Sequence, residues 1–159
     1  HSFMINVSGA SHAHRACYLD LDPTYRDALG RPLIRMTYDF QDNDRRAVAH
    51  ATEAATRIAQ AMHPNMMAML RAPSGSFHVV PYQSTHNTGG TIMGTDPGAS
   101  VVNRYLQSWD ADNLFVMGAS TFPQNPGYAP TATVGALAYW AAATITTRYL
   151  KDPGPLVHP

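Results

Sequence analysis

"NLFVMGASTFPQNPGYAPTATVGALAYWAA", residues 113–142, holds the pattern on which the fold turns. Its first part, "LFVMG", is continuously apolar and predicts a strand buried on both faces. Small residues then crowd together at Gly118, Ala119 and Ser120, and a loop rich in Pro, Gly and Asn follows. From Pro130 the period changes. Val134, Leu137, Ala138, Ala141, Ile145 and Tyr149 fall on one helical face, predicting a helix over about 130–150. Pro130 suits its first turn, where no amide donor is needed. The alanine-rich face predicts close packing, and the strand end and helix start bring small residues and exposed amides to a place that attracts negative charge.

Upstream, "STHNTGGTIMGTDPGAS", residues 84–100, sets one histidine beside glycines and hydroxyls. Gly89, Gly90 and Gly94 carry an entropic cost that is justified where backbone turns tightly or approaches something closely. "FHVVPYQ" before it predicts a short strand over 76–83, so His86 follows a strand and precedes a Gly-Gly turn. A histidine so placed suits proton transfer near neutral pH; a histidine satisfied by turn hydrogen bonds is the equally weighted alternative. "VVNRYLQSW" predicts a further strand before the turn residues "DADN".

In the N-terminal part, "RPLIRMTYDF" alternates, with Ile34, Met36, Tyr38 and Phe40 on one side, and predicts a half-buried strand. "ACYLDL" reads as its antiparallel partner across the turn residues of "DPTYRDALG". After "DND", Val48, Ala51, Ala55, Ile58 and Met62 recur at steps of three and four, predicting a helix over about 44–63 that ends before Pro64. The expected architecture is α+β: antiparallel strands over 17–40 and 76–83 form a sheet covered by this helix. The final helix stands apart and partly exposed, and the tail "KDPGPLVHP" is extended. Met62, Met66, Met67 and Met69 read as core filler. Tyr139 and Trp140 read as packing first and a subunit contact second.

The 159 residues suit one domain. Apolar residues make up 45% and charged ones 14%, against about 25% charged in average soluble proteins, which predicts a partly covered surface. A formal net charge of zero removes the electrostatic argument for a nucleic-acid partner. The single cysteine, Cys17, excludes an internal disulfide. No stretch approaches the roughly 18 consecutive apolar residues of a membrane-spanning helix. In "SHAHRAC", His12, His14 and Cys17 are capable metal ligands, but the sequence nominates no fourth, and no metal is predicted. The opening "HSFMIN" lacks an initiator methionine, so a piece of a longer polypeptide is expected.

"HNTGGTIMG" followed by "NLFVMGASTFPQNPGYAPTATVGALAYWAA" resembles the C-terminal signature of the glucose-methanol-choline (GMC) FAD-dependent oxidoreductases, and within them the large flavoprotein subunits of bacterial gluconate, sorbitol and fructose dehydrogenases. The likeness is dense over 82–156 and looser over "LDPTYRDALGRPLIRMTYDF". It implies that residues 1–159 are the C-terminal, substrate-side portion of such an enzyme, a mostly antiparallel sheet with covering helices. The G-x-G-x-x-G fingerprint of the Rossmann FAD domain is absent from the chain.

The resemblance further implies an FAD cofactor and oxidation of a CH–OH group of a polyol, sugar or sugar acid. His86 would be the base as hydride passes to the flavin. Gly118 and Ala119 would approach FAD, with Pro130 and Thr131 at the helix start beneath its ring. The family places Asn or His before this Pro-Thr pair, where this chain has Ala129. Asn125, four positions earlier, would supply a substitute amide only if the loop folded differently, and the alternative is a binding module with catalysis lost at Ala129. The implied partners are the missing N-terminal FAD domain and a cytochrome subunit that accepts electrons. The implied location is periplasmic, with membrane association through a partner subunit.

Overall fold

The computed structural model of the chain describes residues 2–69, 75–80, 86–127 and 129–158. In order, the elements are β1 (Ser11–His12), β2 (Tyr18–Arg26), β3 (Pro32–Thr37), α1 (Asp42–Ala61), a 3-10 turn (Ala119–Thr121), β4 (Gln124–Asn125), α2 (Thr131–Thr144) and a π-type turn (Ile145–Tyr149). Among the described residues the strands form two small antiparallel sheets, β2 with β3 and β1 with β4. The class is α+β, as expected.

Alternation and charge set the register of the β2–β3 hairpin, which aligns Leu19 with Met36, Asp20 with Arg35 and Leu21 with Ile34. Arg35 Nε donates to Asp20 Oδ1 across the strands at 2.8 Å. The register shifts between Leu21 and Arg26, where the Asp22 carboxylate accepts from the Thr24 and Tyr25 amides at 2.8 Å each. At the tip, Asp27 accepts from the Leu29 and Arg31 amides.

The covering helix does not cover this sheet. Leu21 is 63% and Ile34 75% exposed, and no residue of α1 is buried. Residues 76–80 are not a strand, and 81–83 lie outside the described residues. The reason lies at Asp39, whose carboxylate accepts from the Phe40 and Phe77 amides at 2.8 Å and faces Arg45 of α1 at 3.5 Å. Phe77 thus donates to a side chain instead of a strand ladder. Tyr38, Phe40 and Phe77 meet edge to face around it, with centroids 4.8–6.0 Å apart. The methionines after α1 are not core filler either: Met66 is 87% exposed, and Met62, Met67 and Met69 are exposed with it.

The core sits in the C-terminal part. Val102, Leu106 and Ala141 are fully buried, with Met93, Val116 and Leu137 packed against them. The strands predicted over 101–109 and 114–118 reduce to single bridges, Val102 to Ser108 and Gln107 to Phe115, and Leu114 and Met117 are exposed. A tight turn replaces the first strand: the Asn103 amide donates to Gln107 O, the Leu106 amide donates to Asn103 O, and Leu106 takes a positive φ of 63°.

Gln107, 1% exposed, closes this turn. Its Nε2 donates to Asp112 O at 2.7 Å and Gly154 O at 2.9 Å. Its Oε1 accepts from the Leu156 amide at 2.8 Å and from Asn103 Nδ2 at 3.3 Å. The tail is therefore bent and anchored, not extended. Both atoms of this buried carboxamide are satisfied.

Two outcomes follow from these two hubs. Gln107→Ala strips partners from the Asp112 and Gly154 carbonyls and the Leu156 amide and leaves a void at a buried position, so urea unfolding should show a loss of about 3 kcal/mol or more. At Asp39, amide donation from Phe77 and then Phe40 holds the carboxyl below its ordinary value of 3.8. The stability it confers is complete above that ordinary value and is lost as pH falls through the depressed one. Asp39→Asn should flatten the acid limb of stability against pH, read by thermal melts across an acid series.

Candidate active site

The two separated motifs meet through main-chain hydrogen bonds. The amides of Gly89, Thr91 and Met93 donate to the carbonyls of Ala119, Ser120 and Thr121 at 3.0, 3.0 and 2.8 Å. Residues 119–121 can receive them because they form a single 3-10 turn, held by Thr121 Oγ1 donating to Gly118 O at 2.9 Å. Gly118, with φ 131°, leaves open space where a Cβ would stand. Gly94 is demanded by packing, since a Cβ there would lie 2.8 Å from Ser100 Cβ.

His86 lies three residues before this seam and is exposed. Its carbonyl accepts from Asn125 Nδ2 at 2.8 Å, while Asn125 Oδ1 accepts from the Gly127 amide at 2.9 Å. An open cleft of about 430 Å³ lies beside them. His86, Pro126, Gly127 and Ala129 form one side, and Asn6, Val7 and Ser8 add to its lining. The N-terminal segment reaches this position because β1 pairs with β4, Ser11 opposite Asn125 and His12 opposite Gln124, and Ala13 donates to Pro123 O. Sequence reasoning missed this wall. A pairing two residues long between segments more than a hundred positions apart leaves no periodic signal.

Ala129 and Pro130 lead into α2, with Pro130 buried and Thr131 exposed. Among the described residues no side chain caps the start of α2, and its first turn holds no acidic residue, an arrangement that suits an anionic group. The helix is partly exposed, with Ala141 and Thr144 buried. Trp140 stacks on Tyr105 with centroids 6.0 Å apart and donates to Arg104 O at 3.0 Å. Tyr139 is 82% exposed and does not pack. Arg148 donates to the Tyr105 hydroxyl at 2.6 Å and holds its pKa below the usual tyrosine range.

His86 and Ala129, at the entry to α2, therefore line one cleft, Asn125 bonds to the His86 carbonyl, and Ala119 accepts the seam bond nearest His86 while Gly118 precedes the seam. Asn125 has both ends of its carboxamide bonded to main chain. Among the described residues no three His, Cys, Asp or Glu side chains are placed to hold a metal ion. Cys17 Sγ instead donates to Asp39 O at 3.5 Å and accepts from Gln41 Nε2 at 3.7 Å. Nor is any described helix long and apolar enough to cross a membrane.

Residues 13–138 match the family model described as GMC oxidoreductase. The chain is 51% identical over 158 residues to a gluconate 2-dehydrogenase flavoprotein of Pantoea cypripedii, covering 99% of this chain and 26% of that protein. It is 36% identical over 129 residues to a fructose dehydrogenase large subunit of Gluconobacter japonicus, covering 80% of this chain and 22% of that one. A 2-methyl-1,2-propanediol dehydrogenase of Mycolicibacterium austroafricanum is 32% identical over 132 residues, with 81% and 22% covered. The chain thus spans about a quarter of the length of these relatives.

Gly127 tests how the cleft is built. Its φ is 80°, and a Cβ would lie 3.1 Å from Gly9 C and Ala10 N, main-chain atoms that cannot rotate away. Gly127→Ala should destabilise the chain by roughly 2 kcal/mol or more in urea unfolding. Gly135→Ala, inside α2 with open space at its Cβ, should be neutral or stabilise by up to about 1 kcal/mol.

Proposed function

The chain belongs to the GMC oxidoreductase family, and from that premise we propose that it forms the substrate- and flavin-facing part of an FAD-dependent dehydrogenase. The reaction is oxidation of a CH–OH group of a polyol, sugar or sugar acid. The relatives' names, dehydrogenases of gluconate, fructose and a propanediol, support this substrate class. The observation that carries the reading is the cleft shared by His86 and the entry to α2, held in place by the seam between 89–93 and 119–121.

The donor set fits a flavin. Uncapped amides at the start of α2 suit the edge of a flat ring that gains negative charge, and the open space at Gly118 admits close approach beside Ala119. Pro130 and Thr131 stand at that helix start. When bound, FAD supplies the hydride acceptor. The protein's own part is proton transfer and orientation: a ring nitrogen of His86 takes the hydroxyl proton as the carbon is oxidised. Ala129 offers only a methyl group beside it, so this position contributes no hydrogen bond to orient the alcohol oxygen.

In this reading the remaining polypeptide carries the dinucleotide-binding FAD domain. A cytochrome subunit receives the electrons, and the assembly works in the periplasm, membrane-associated through that partner. The flavoprotein and large-subunit names of two relatives support subunit partners.

Alcohol-dependent dye reduction by the full-length protein tests the assignment. His86→Ala should lower turnover by about 10² or more, the scale of a lost general base. Ala129→Asn should raise it by roughly tenfold to a thousandfold, the scale of one oriented donor. Unchanged turnover in His86→Ala would remove the base from His86, and unchanged turnover in both would remove the site.

A further inference from the structure

We propose that Asn125 is a positioning residue for His86, acting as a clamp that joins the two motifs outside the seam. The inference rests on the reading of His86 as the base. The seam begins at the Gly89 amide, so the three residues back to His86 project beyond it. Asn125 Nδ2 ties His86 there, donating to the His86 carbonyl at 2.8 Å. The same side chain accepts from the Gly127 amide at 2.9 Å, so it spans from the histidine to the loop that leads into α2.

The chemistry of the two partners leaves one orientation for the carboxamide. The His86 carbonyl can only accept and the Gly127 amide can only donate, so nitrogen must face His86 and oxygen must face Gly127. The base of the side chain is fixed as well, because Asn125 pairs with Ser11 in the β1–β4 sheet. An amide fixed at its root and engaged at both tips is committed to the geometry of the loop that carries His86. In this proposal Asn125 acts through the position of His86 rather than as a donor to substrate.

Aspartate separates the two bonds. It has nearly the same shape and still accepts from Gly127, but it cannot donate, and its charge faces the His86 carbonyl. In the full-length holoenzyme, Asn125→Asp should quicken hydrogen–deuterium exchange at the amides of residues 86–88. It should also lower kcat by roughly tenfold to a hundredfold, the scale of a small misplacement of a catalytic group, with KM and melting temperature nearly unchanged. In a His86→Ala background the same substitution should lower kcat no further.

Unchanged exchange at 86–88 would overturn the clamp, whatever His86 does. Faster exchange with unchanged kcat, in a protein that His86→Ala inactivates, would overturn the positioning role while leaving His86 as the base. An equal further loss of kcat in the His86→Ala background would show that Asn125 acts through something other than His86 and would overturn the proposal. Full turnover in His86→Ala alone would overturn the reading of His86, and this proposal with it.

Discussion

Gln107 is the constraint on which the C-terminal half depends. Among the described residues this part has little ladder to hold it, so its irregular main chain needs partners from elsewhere. One carboxamide supplies partners to the Asp112 carbonyl, the Gly154 carbonyl and the Leu156 amide, and it braces Asn103. Val102 and Leu106 are thereby turned inward against Ala141 of α2. With α2 seated on this turn, its first residues are carried to the edge of the cleft. The cleft end of the molecule is thus built on a polar hub and only a small apolar core.

Main-chain bonds then carry that order to His86. The 3-10 turn at 119–121 presents three successive carbonyls, and the glycine-rich segment answers with alternate amides at 89, 91 and 93. Carboxamides recur where ladders fail: Asn103 and Gln107 at the core turn, Asn125 at the cleft. A side-chain amide both donates and accepts, so it can link two strands of irregular backbone that cannot pair with each other.

Periodic features were legible in the sequence. Steps of three and four announced α1 and α2, Pro64 lay beyond the end of α1, and alternation announced the antiparallel hairpin, though not its register. His86 and the 118–131 unit were legible as a pair through the family resemblance. Burial was not. Apolar alternation in the hairpin suggested a covered sheet, but Leu21 and Ile34 face solvent, because periodicity says which residues share a side and not what lies opposite. Residues 101–118 read as strands since apolar runs do not reveal a competing turn, and the side chains that impose it, Asn103 and Gln107, look like ordinary polar interruptions. The β1–β4 contact is too short for any pattern, and so the lining contributed by residues 6–8 and the clamping geometry of Asn125 stayed hidden.

The seam between the motifs is made wholly of main-chain atoms, and that has an evolutionary consequence. Replacing the side chain of Ile92 or Ser120 removes none of its bonds, whereas the glycines it flanks are fixed by conformation or space. Inheritance can therefore rewrite the chemical lining around the histidine while the frame beneath it persists. Diversity of substrates across a lineage and constancy of the pocket's construction are, in this arrangement, separate variables.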